Sequence, residues 1–394
     1  MFKIRHVLLL LVLLVGLLSA CQQTSNPSTE VGFVVNGVKL AEPPAVTMKD
    51  GQMLVSSAFI EQHFQKKIEA VAASAETGSS SVYYSNKVAV LMYHDIGTKP
   101  ASGTKQLSSE RFESQMSLLK ENGFHVIDIG QYTEFIRNGG SVPDNAVLLT
   151  FDDGYESFYN VAYPVLKKYE YPAVNFVIVS AIDKRTGLAK LTWDQMREMQ
   201  KSGMSFYSHT YDLHHYGEAD ADGGTKPLMT VRLYNKETGK TETDAVYVKR
   251  IVNDLALAEK RLKEELGNER GILAFPYGAF NEEVLRELEP LGVELSFTVK
   301  EGLNAAGQVN GFRMNGAKDG ETAEQLIDKL KRGGKSAIEG DAVGIRIDGE
   351  EAVFTGMLSV KEEEGLMIPL REFCNSYQIE VHWDNKKKQV SLRS

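Results

Sequence analysis

The strongest constraint on the fold is an alternation of two patterns between residues 88 and 335. Apolar runs of strand length are separated by segments with helical spacing. Val88 to Tyr93, Ala146 to Phe151, Ala173 to Val179 and Met204 to Ser208 are such runs, and Ile272 to Phe275 and Leu295 to Val299 continue the series. Val126-Ile127 reads as a shorter strand. Between the runs, Phe112, Met116 and Leu119 share one helical face, as do Val161, Val165 and Leu166. Thr192-Trp193-Asp194-Gln195 has the spacing of a capping box that opens a helix. Continuous apolar runs belong to strands buried on both faces, the state of a parallel sheet covered by its crossover helices. The pattern predicts an α/β domain with a parallel sheet, open or closed as a barrel. The polar stretch Gly217 to Val248 interrupts the series and reads as an inserted hairpin.

In βα folds the chemistry gathers at the C-terminal ends of the strands. Leu148-Leu149-Thr150-Phe151-Asp152-Asp153-Gly154 places two adjacent carboxylates at one such end. Neighbours there point in different directions, so one can bind a metal while the other stays free as a base. The plainer alternative is a strand-to-turn Asp-Gly with solvated acids. Tyr207-Ser208-His209-Thr210-Tyr211-Asp212-Leu213-His214-His215 holds three of the eight histidines. His209 and His214 are five apart, which is not the i, i+4 spacing of a helix face, so they would sit on a loop that curls back. Imidazole with carboxylate suits zinc and neighbouring divalent metals, and a hydrogen-bonded surface cluster is the alternative. Ala274-Phe275-Pro276-Tyr277-Gly278 is a Pro-aromatic-Gly turn able to aim a backbone N–H inward.

Taken together and in this order, the three segments resemble the polysaccharide deacetylases, the family-4 carbohydrate esterases with a NodB-homology domain. Leu91-Met92-Tyr93-His94 and the His209–His214 spacing are similar to the poly-N-acetylglucosamine deacetylase branch. The resemblance implies a distorted (β/α) barrel over residues 88–335. It implies that Asp153, His209 and His214 bind one metal, Zn²⁺ or another divalent ion such as Co²⁺, Ni²⁺ or Mn²⁺. It makes Asp152 the general base and the Tyr277 backbone N–H an oxyanion donor. The implied reaction is hydrolytic N-deacetylation of an N-acetylglucosamine-containing polysaccharide, with release of acetate. Two departures stand out. The family's third motif commonly carries an Arg two residues before the Pro, and here that position is Ala274. Its fifth motif usually supplies a His, and Gly311-Phe312-Arg313-Met314-Asn315 has none. The proton donor to the leaving amine is therefore unassigned: Asp152, once protonated, could return the proton, and His94 is another candidate, although a structural role at a strand end fits it equally. His215 is a competing metal ligand. The departures also leave open a non-catalytic glycan- or wall-binding protein on a decayed enzyme fold. A glycosidase with two carboxylates fits less well, because its acids flank one bond from different strands.

The segments outside the barrel carry an internal repeat. Val31-Gly32-Phe33-Val34-Val35-Asn36-Gly37 matches Val343-Gly344-Ile345-Arg346-Ile347-Asp348-Gly349, and Gly51 to Phe59 matches Gly365 to Phe373. Each copy reads as strand, Asn/Asp-Gly turn, strand and short helix. Only the C-terminal copy is expected to continue, through Val381-His382-Trp383-Asp384-Asn385, into further strands. That copy resembles the copper-amine-oxidase N-terminal-like domain of bacterial surface proteins. It offers only His382 and Cys374 as soft ligands, so no copper is expected. Cys374 reads as a buried small hydrophobe. The expected division is a partial accessory repeat at 31–75, a linker at 76–87, the deacetylase domain at 88–335 and a small α+β accessory domain at 340–394.

At the N-terminus, Lys3 and Arg5 precede the apolar run Val7 to Leu18, which is too short for a permanent span and fits a signal peptide over 1–20. Leu18-Ser19-Ala20-Cys21 resembles a bacterial lipobox. The resemblance implies lipidation of Cys21, a tether over 21–30, and anchoring on the extracellular face of the cell membrane. A net charge of −9 argues against a nucleic-acid partner.

Overall fold

The structure is a computed structural model of the 394-residue chain. It describes residues 31–49, 51–72, 82–97, 106–185, 188–333, 338–339, 342–352, 354, 358–361, 365–377, 379–384 and 387–394. The expected signal segment 1–20, Cys21 and the expected tether to residue 30 lie outside the described residues.

The central domain is a distorted, nearly closed barrel of eight parallel strands. In chain order they are β1 (Val88–Tyr93), β2 (Ala146–Asp152), β3 (Ala173–Val177), β4 (Met204–Ser208), β5 (Gly271–Ala274), β6 (Val293–Phe297), β7 (Asn310–Gly311) and β8 (Met314–Asn315). Neighbours in sequence are neighbours in the sheet from β1 to β7, and β8 returns to pair with β1. Only Phe312 and Arg313 separate β7 from β8. One short segment therefore pairs first with β6 and then with β1, and forms the seam of the barrel.

Every residue of β1, β2 and β3 is buried, because both faces of the sheet are covered. Val88, Val90, Ala146, Leu148, Val174 and Phe176 point into the barrel and meet Ile129, Tyr132, Phe135 and Ile136. Those four belong to the helix α2 (Ile129–Asn138), which follows α1 (Ser109–Glu121). The alternate residues Leu91, Tyr93, Val147, Leu149 and Phe151 point outward against Phe112, Met116 and Leu119 of α1. The capping box at Thr192 and Gln195 forms and opens the helix Trp193–Gln200.

Three boundaries differ from the sequence reading. β3 stops at Val177 because Val179 already starts a helix. β6 is Val293–Phe297 rather than Leu295 to Val299. The insertion folds as two hairpins and ends before residue 248. Thr243 caps a helix at Asp244–Leu266, and its buried face is Tyr247, Ile251, Leu255, Ala258 and Leu262, a helical spacing that overrides the polar residues around it.

The two ends of the chain make one α+β body. Gly32–Val35 lies parallel beside Gln389–Arg393. Gln52–Ser56 pairs with Gly365–Pro369, and Ile68–Ala72 pairs with Ala342–Ile347. This last strand corrects the expectation that only the C-terminal copy continues past its helix. Asn36-Gly37 and Asp348-Gly349 turn with φ of 48° and 81°, and 54° and 83°, the left-handed pair that a two-residue hairpin of type I′ requires. Phe33, Val55, Phe59 and Ile60 from one end share a core with Ile345, Ile368, Phe373 and Cys374 from the other.

Because that core is shared, a fragment starting at residue 82 should leave half of it exposed. Amide hydrogen exchange on that fragment is expected to show lost protection across 342–394 and retained protection in β2 and β3. Full protection of 365–377 would mean that the C-terminal half folds alone.

Candidate active site

Five strand ends meet at one end of the barrel. Asp152 is the last residue of β2 and shares the inward face of Leu148 and Thr150. The chain then turns sharply, with Asp153 at φ 73° and Gly154 at φ 66°. A Cβ at residue 154 would stand 3.0 Å from Val177 Cγ1, so the turn needs glycine. Thr210, after β4, and Tyr277, after β5, also hold left-handed backbone at φ 69° and 59°. Each such residue costs about 1–3 kcal/mol, and the clustering of three around one point marks where the fold accepts strain.

The first cluster is Asp153, His209 and His214, whose ligand atoms all lie within 4.8 Å of one another. Asp153 Oδ1 is 3.2 Å from His214 Nε2 and 3.6 Å from His209 Nε2. His209 is buried, and its Nδ1–H donates to the Ala274 carbonyl at 2.7 Å. That bond fixes the tautomer and turns the Nε2 lone pair toward Asp153. Burial lowers the pKa of His209, and burial followed by the nearby His209 lowers His214 to about 4. Both rings are neutral at pH 7. Asp153 Oδ1 is buried without a hydrogen-bond partner. A buried, unpartnered carboxylate oxygen facing two neutral imidazoles is a group of donors that fits a divalent metal. His215 is not part of it: its Nε2 lies 3.5 Å from Asp212 on the exposed side of the loop.

The second cluster is built on Asp152. Arg313 clamps it with Nη1 2.7 Å from Oδ1 and Nη2 2.9 Å from Oδ2. Arg313 has no solvent exposure, and its Nε donates to the Thr298 carbonyl at 2.9 Å. Burial pushes the Asp152 pKa up, but Arg313, His209 and His94 outweigh it and hold the group at about 2. Arg313 is the functional residue that the sequence reading missed. The position expected to hold an orienting Arg is Ala274, whose side chain is buried and whose carbonyl serves His209. The orienting cation arrives instead from the seam between β7 and β8. The available signal was a lone charge inside Gly311-Phe312-Arg313-Met314-Asn315. His94, just after β1, comes to the same carboxylate from the open side, with Nε2 3.9 Å from Asp152 Oδ2 and a side chain 42% exposed.

Tyr277 sits in the turn Pro276–Gly278 after β5. Gly278 N–H bonds the Phe275 carbonyl and Ala279 N–H bonds that of Pro276, which leaves the Tyr277 N–H outside the closing bonds. A Cβ at residue 278 would meet Val299 at 2.4 Å, so this turn too depends on glycine. The Tyr277 ring lies 4.4 Å from that of His214, and its hydroxyl donates to the His214 carbonyl at 3.2 Å. The turn is thereby fixed against the first cluster.

Residues 139–296 match the family model of polysaccharide deacetylases. The chain is 30% identical over 260 residues to the poly-beta-1,6-N-acetyl-D-glucosamine N-deacetylase of Escherichia coli (strain K12), covering 61% of this chain and 39% of that protein. It is 28% identical over 198 residues to the protein of the same name in Staphylococcus aureus (strain N315), covering 50% of this chain and 61% of that one. Among solved structures, a de-N-acetylase from Aggregatibacter actinomycetemcomitans superposes with a TM-score of 0.56 at 29% identity, over 61% of this chain and 99% of that one. The chain thus spans about two fifths of the length of its E. coli relative.

The buried pair makes a pH-dependent prediction. The folded pKa of Asp152, about 2, lies below its ordinary value of 3.8, so the pair's stabilisation is present above pH 3.8 and is lost as pH falls toward 2. Arg313→Met should cost about 3–5 kcal/mol at pH 7, since it leaves a buried carboxylate without its partner. Urea denaturation should show that deficit shrinking as pH falls, first as the unpartnered Asp152 of the variant, its pKa raised by burial, takes up a proton, and then below about 4 as the wild-type pair loses its own stabilisation. A deficit independent of pH would exclude the ion pair as its source.

Proposed function

We propose that the polysaccharide deacetylase domain of this chain is an active N-deacetylase, one that hydrolyses acetamide groups on an extracellular N-acetylglucosamine polymer. The observation that carries this reading is the division between two adjacent carboxylates. Asp152 is locked ionised by Arg313, while Asp153 faces two neutral imidazoles with a buried oxygen left unpartnered. Asp153, His209 and His214 would hold the metal, with Zn²⁺ as first choice and Co²⁺, Ni²⁺ or Mn²⁺ as alternatives. Such an ion supplies Lewis-acid polarisation of the acetamide and a more acidic water.

The chain's own groups do the rest. Asp152 accepts the proton of the attacking water. At a pKa of about 2 it is a weak base but is always in its basic form at neutral pH, and the two bonds from Arg313 fix its orientation. Each of its oxygens keeps lone-pair capacity beyond the bond to Arg313. The Tyr277 N–H is the donor for the oxygen that gains negative charge. His94, at the solvent side of Asp152, gives the departing nitrogen its proton. The C–N bond breaks, acetate leaves, and the sugar keeps a free amine.

The substrate we favour is a β-1,6-linked N-acetylglucosamine polymer, supported by the names of the relatives, although peptidoglycan and chitin-like chains present the same acetamide. Lys3, Arg5 and Cys21 support a lipid anchor on the outer face of the bacterial membrane. The body formed by the two chain ends is then an accessory glycan- or wall-binding module that uses no copper. A non-catalytic binding protein is the second reading. It was motivated by Ala274 and by the missing histidine of Gly311–Asn315. Arg313 and His94 bring both kinds of group to Asp152 from other positions, which favours catalysis.

Acetate release from N-acetylglucosamine oligomers by residues 22–394 should disappear on metal stripping and return with Zn²⁺. Asp152→Asn should lose about 10²–10⁴-fold in kcat while one metal per chain is retained, and His214→Ala should lose the metal itself. A fully active Asp152→Asn would remove Asp152 as the base. A folded protein that releases no acetate with any divalent ion would return the reading to a binding protein.

A further inference from the structure

The first hairpin of the insertion begins beside the metal cluster. Its strand Tyr216–Glu218 pairs with Thr225–Pro227 and sets Tyr216 opposite Pro227. The Tyr216 ring centroid is 4.8 Å from that of Tyr277, at an interplanar angle of 58°. Tyr277 is in turn 4.4 Å from His214. His214, Tyr277 and Tyr216 therefore form an unbroken row of rings that runs from the metal cluster onto the surface. Tyr216 is 55% exposed and Tyr277 42%.

A single exposed tyrosine needs no explanation. Two in contact, each with its backbone held, are different. Tyr277 is held by its turn and by its bond to the His214 carbonyl. Tyr216 is held through the next residue. A Cβ on Gly217 would stand 2.3 Å from Leu233 and 2.7 Å from Leu228, so the hairpin backbone rests directly on an apolar patch. Successive strand residues face opposite ways, so Tyr216 is turned away from that patch. The rings offer uncharged, slightly electron-rich faces, the surface that packs against the C–H face of a pyranose ring.

We propose that Tyr216 and Tyr277 form a subsite for a neutral pyranose residue of the polymer, next to the residue whose acetamide lies at Asp153, His209 and His214. Tyr216 is a specificity residue that selects chains over short substrates, and it takes no part in bond breaking. The assignment of the neighbouring position rests on the deacetylase reading; the stacking surface does not.

Tyr216→Ala should raise KM for an N-acetylglucosamine hexamer about tenfold with kcat little moved, the signature of lost uniform binding. The loss should be larger for the hexamer than for a disaccharide. Tyr216→Trp should restore the hexamer value, and zinc content per chain reports that the metal cluster is intact in each variant. Hexamer affinity measured by calorimetry in the Asp152→Asn background reads the subsite without turnover. If the wild-type chain releases no acetate but Tyr216→Ala still weakens hexamer binding, the subsite stands and the deacetylase reading falls. If the chain turns over and Tyr216→Ala binds and processes the hexamer like wild type, or Tyr216→Trp fails to rescue, the subsite falls alone.

Discussion

The ion pair between Arg313 and Asp152 is the interaction on which the rest of the site depends. A carboxylate this deeply buried stays charged only with a cation against it. Arg313 can reach Asp152 only if the short segment from Asn310 to Asn315 leaves β6 and joins β1. Closing the barrel and holding the Asp152 carboxylate ionised are therefore one structural event. The guanidinium also ties in the end of β6 through the Thr298 carbonyl and lies over the Phe176 ring at 5.7 Å. Its orientation is thus set by groups from three strands rather than by Asp152 alone.

The pair also explains how two neighbouring aspartates do different work. Asp152 keeps the strand geometry of β2 and points inward. Asp153 leaves it at φ 73°, and its side chain swings toward the loop after β4. Burial then acts with opposite results on the two sides. It keeps His209 and His214 neutral, whereas at Asp152 it is overcome by Arg313. An ionised carboxylate thus stands beside a cluster of one carboxylate and two neutral imidazoles, and the Tyr277 turn is fixed against that cluster by its hydroxyl.

How much of this was legible follows from the range of each interaction. Asp152-Asp153-Gly154 and His209 to His214 were readable because a strand end and a short loop bring their residues together without help from distant chain. The hairpin turns at Asn36-Gly37 and Asp348-Gly349 and the capping box at Thr192 were readable for the same reason: each is a local backbone requirement with its own side-chain signature. Arg313 was not readable in that way. It stands 161 positions from Asp152, and only the seam joins them. The position where the family's third motif commonly carries an Arg holds Ala274, so that motif does not point to the cation that Asp152 meets. The end of the insertion was misplaced because Thr243 caps a helix whose first buried residue, Tyr247, comes only at the end of its first turn.

The joining of the two chain ends has the same character, and it bears on the seam. Ile68–Ala72 is the last described strand before the barrel, and Ala342–Ile347 is the first long strand after it. Their pairing sets Ala72, which precedes β1 in the chain, opposite Ala342, which follows the helix Ala323–Lys331 after β8. β1 and β8 are the two strands that meet at the seam. A loop whose ends are already held together has less entropy left to lose on closing, and the gain varies only slowly with loop length. The terminal body therefore favours the same closure that delivers Arg313 to Asp152. Its strands lie far from Asp152 in sequence, yet they act on it through the topology of the chain.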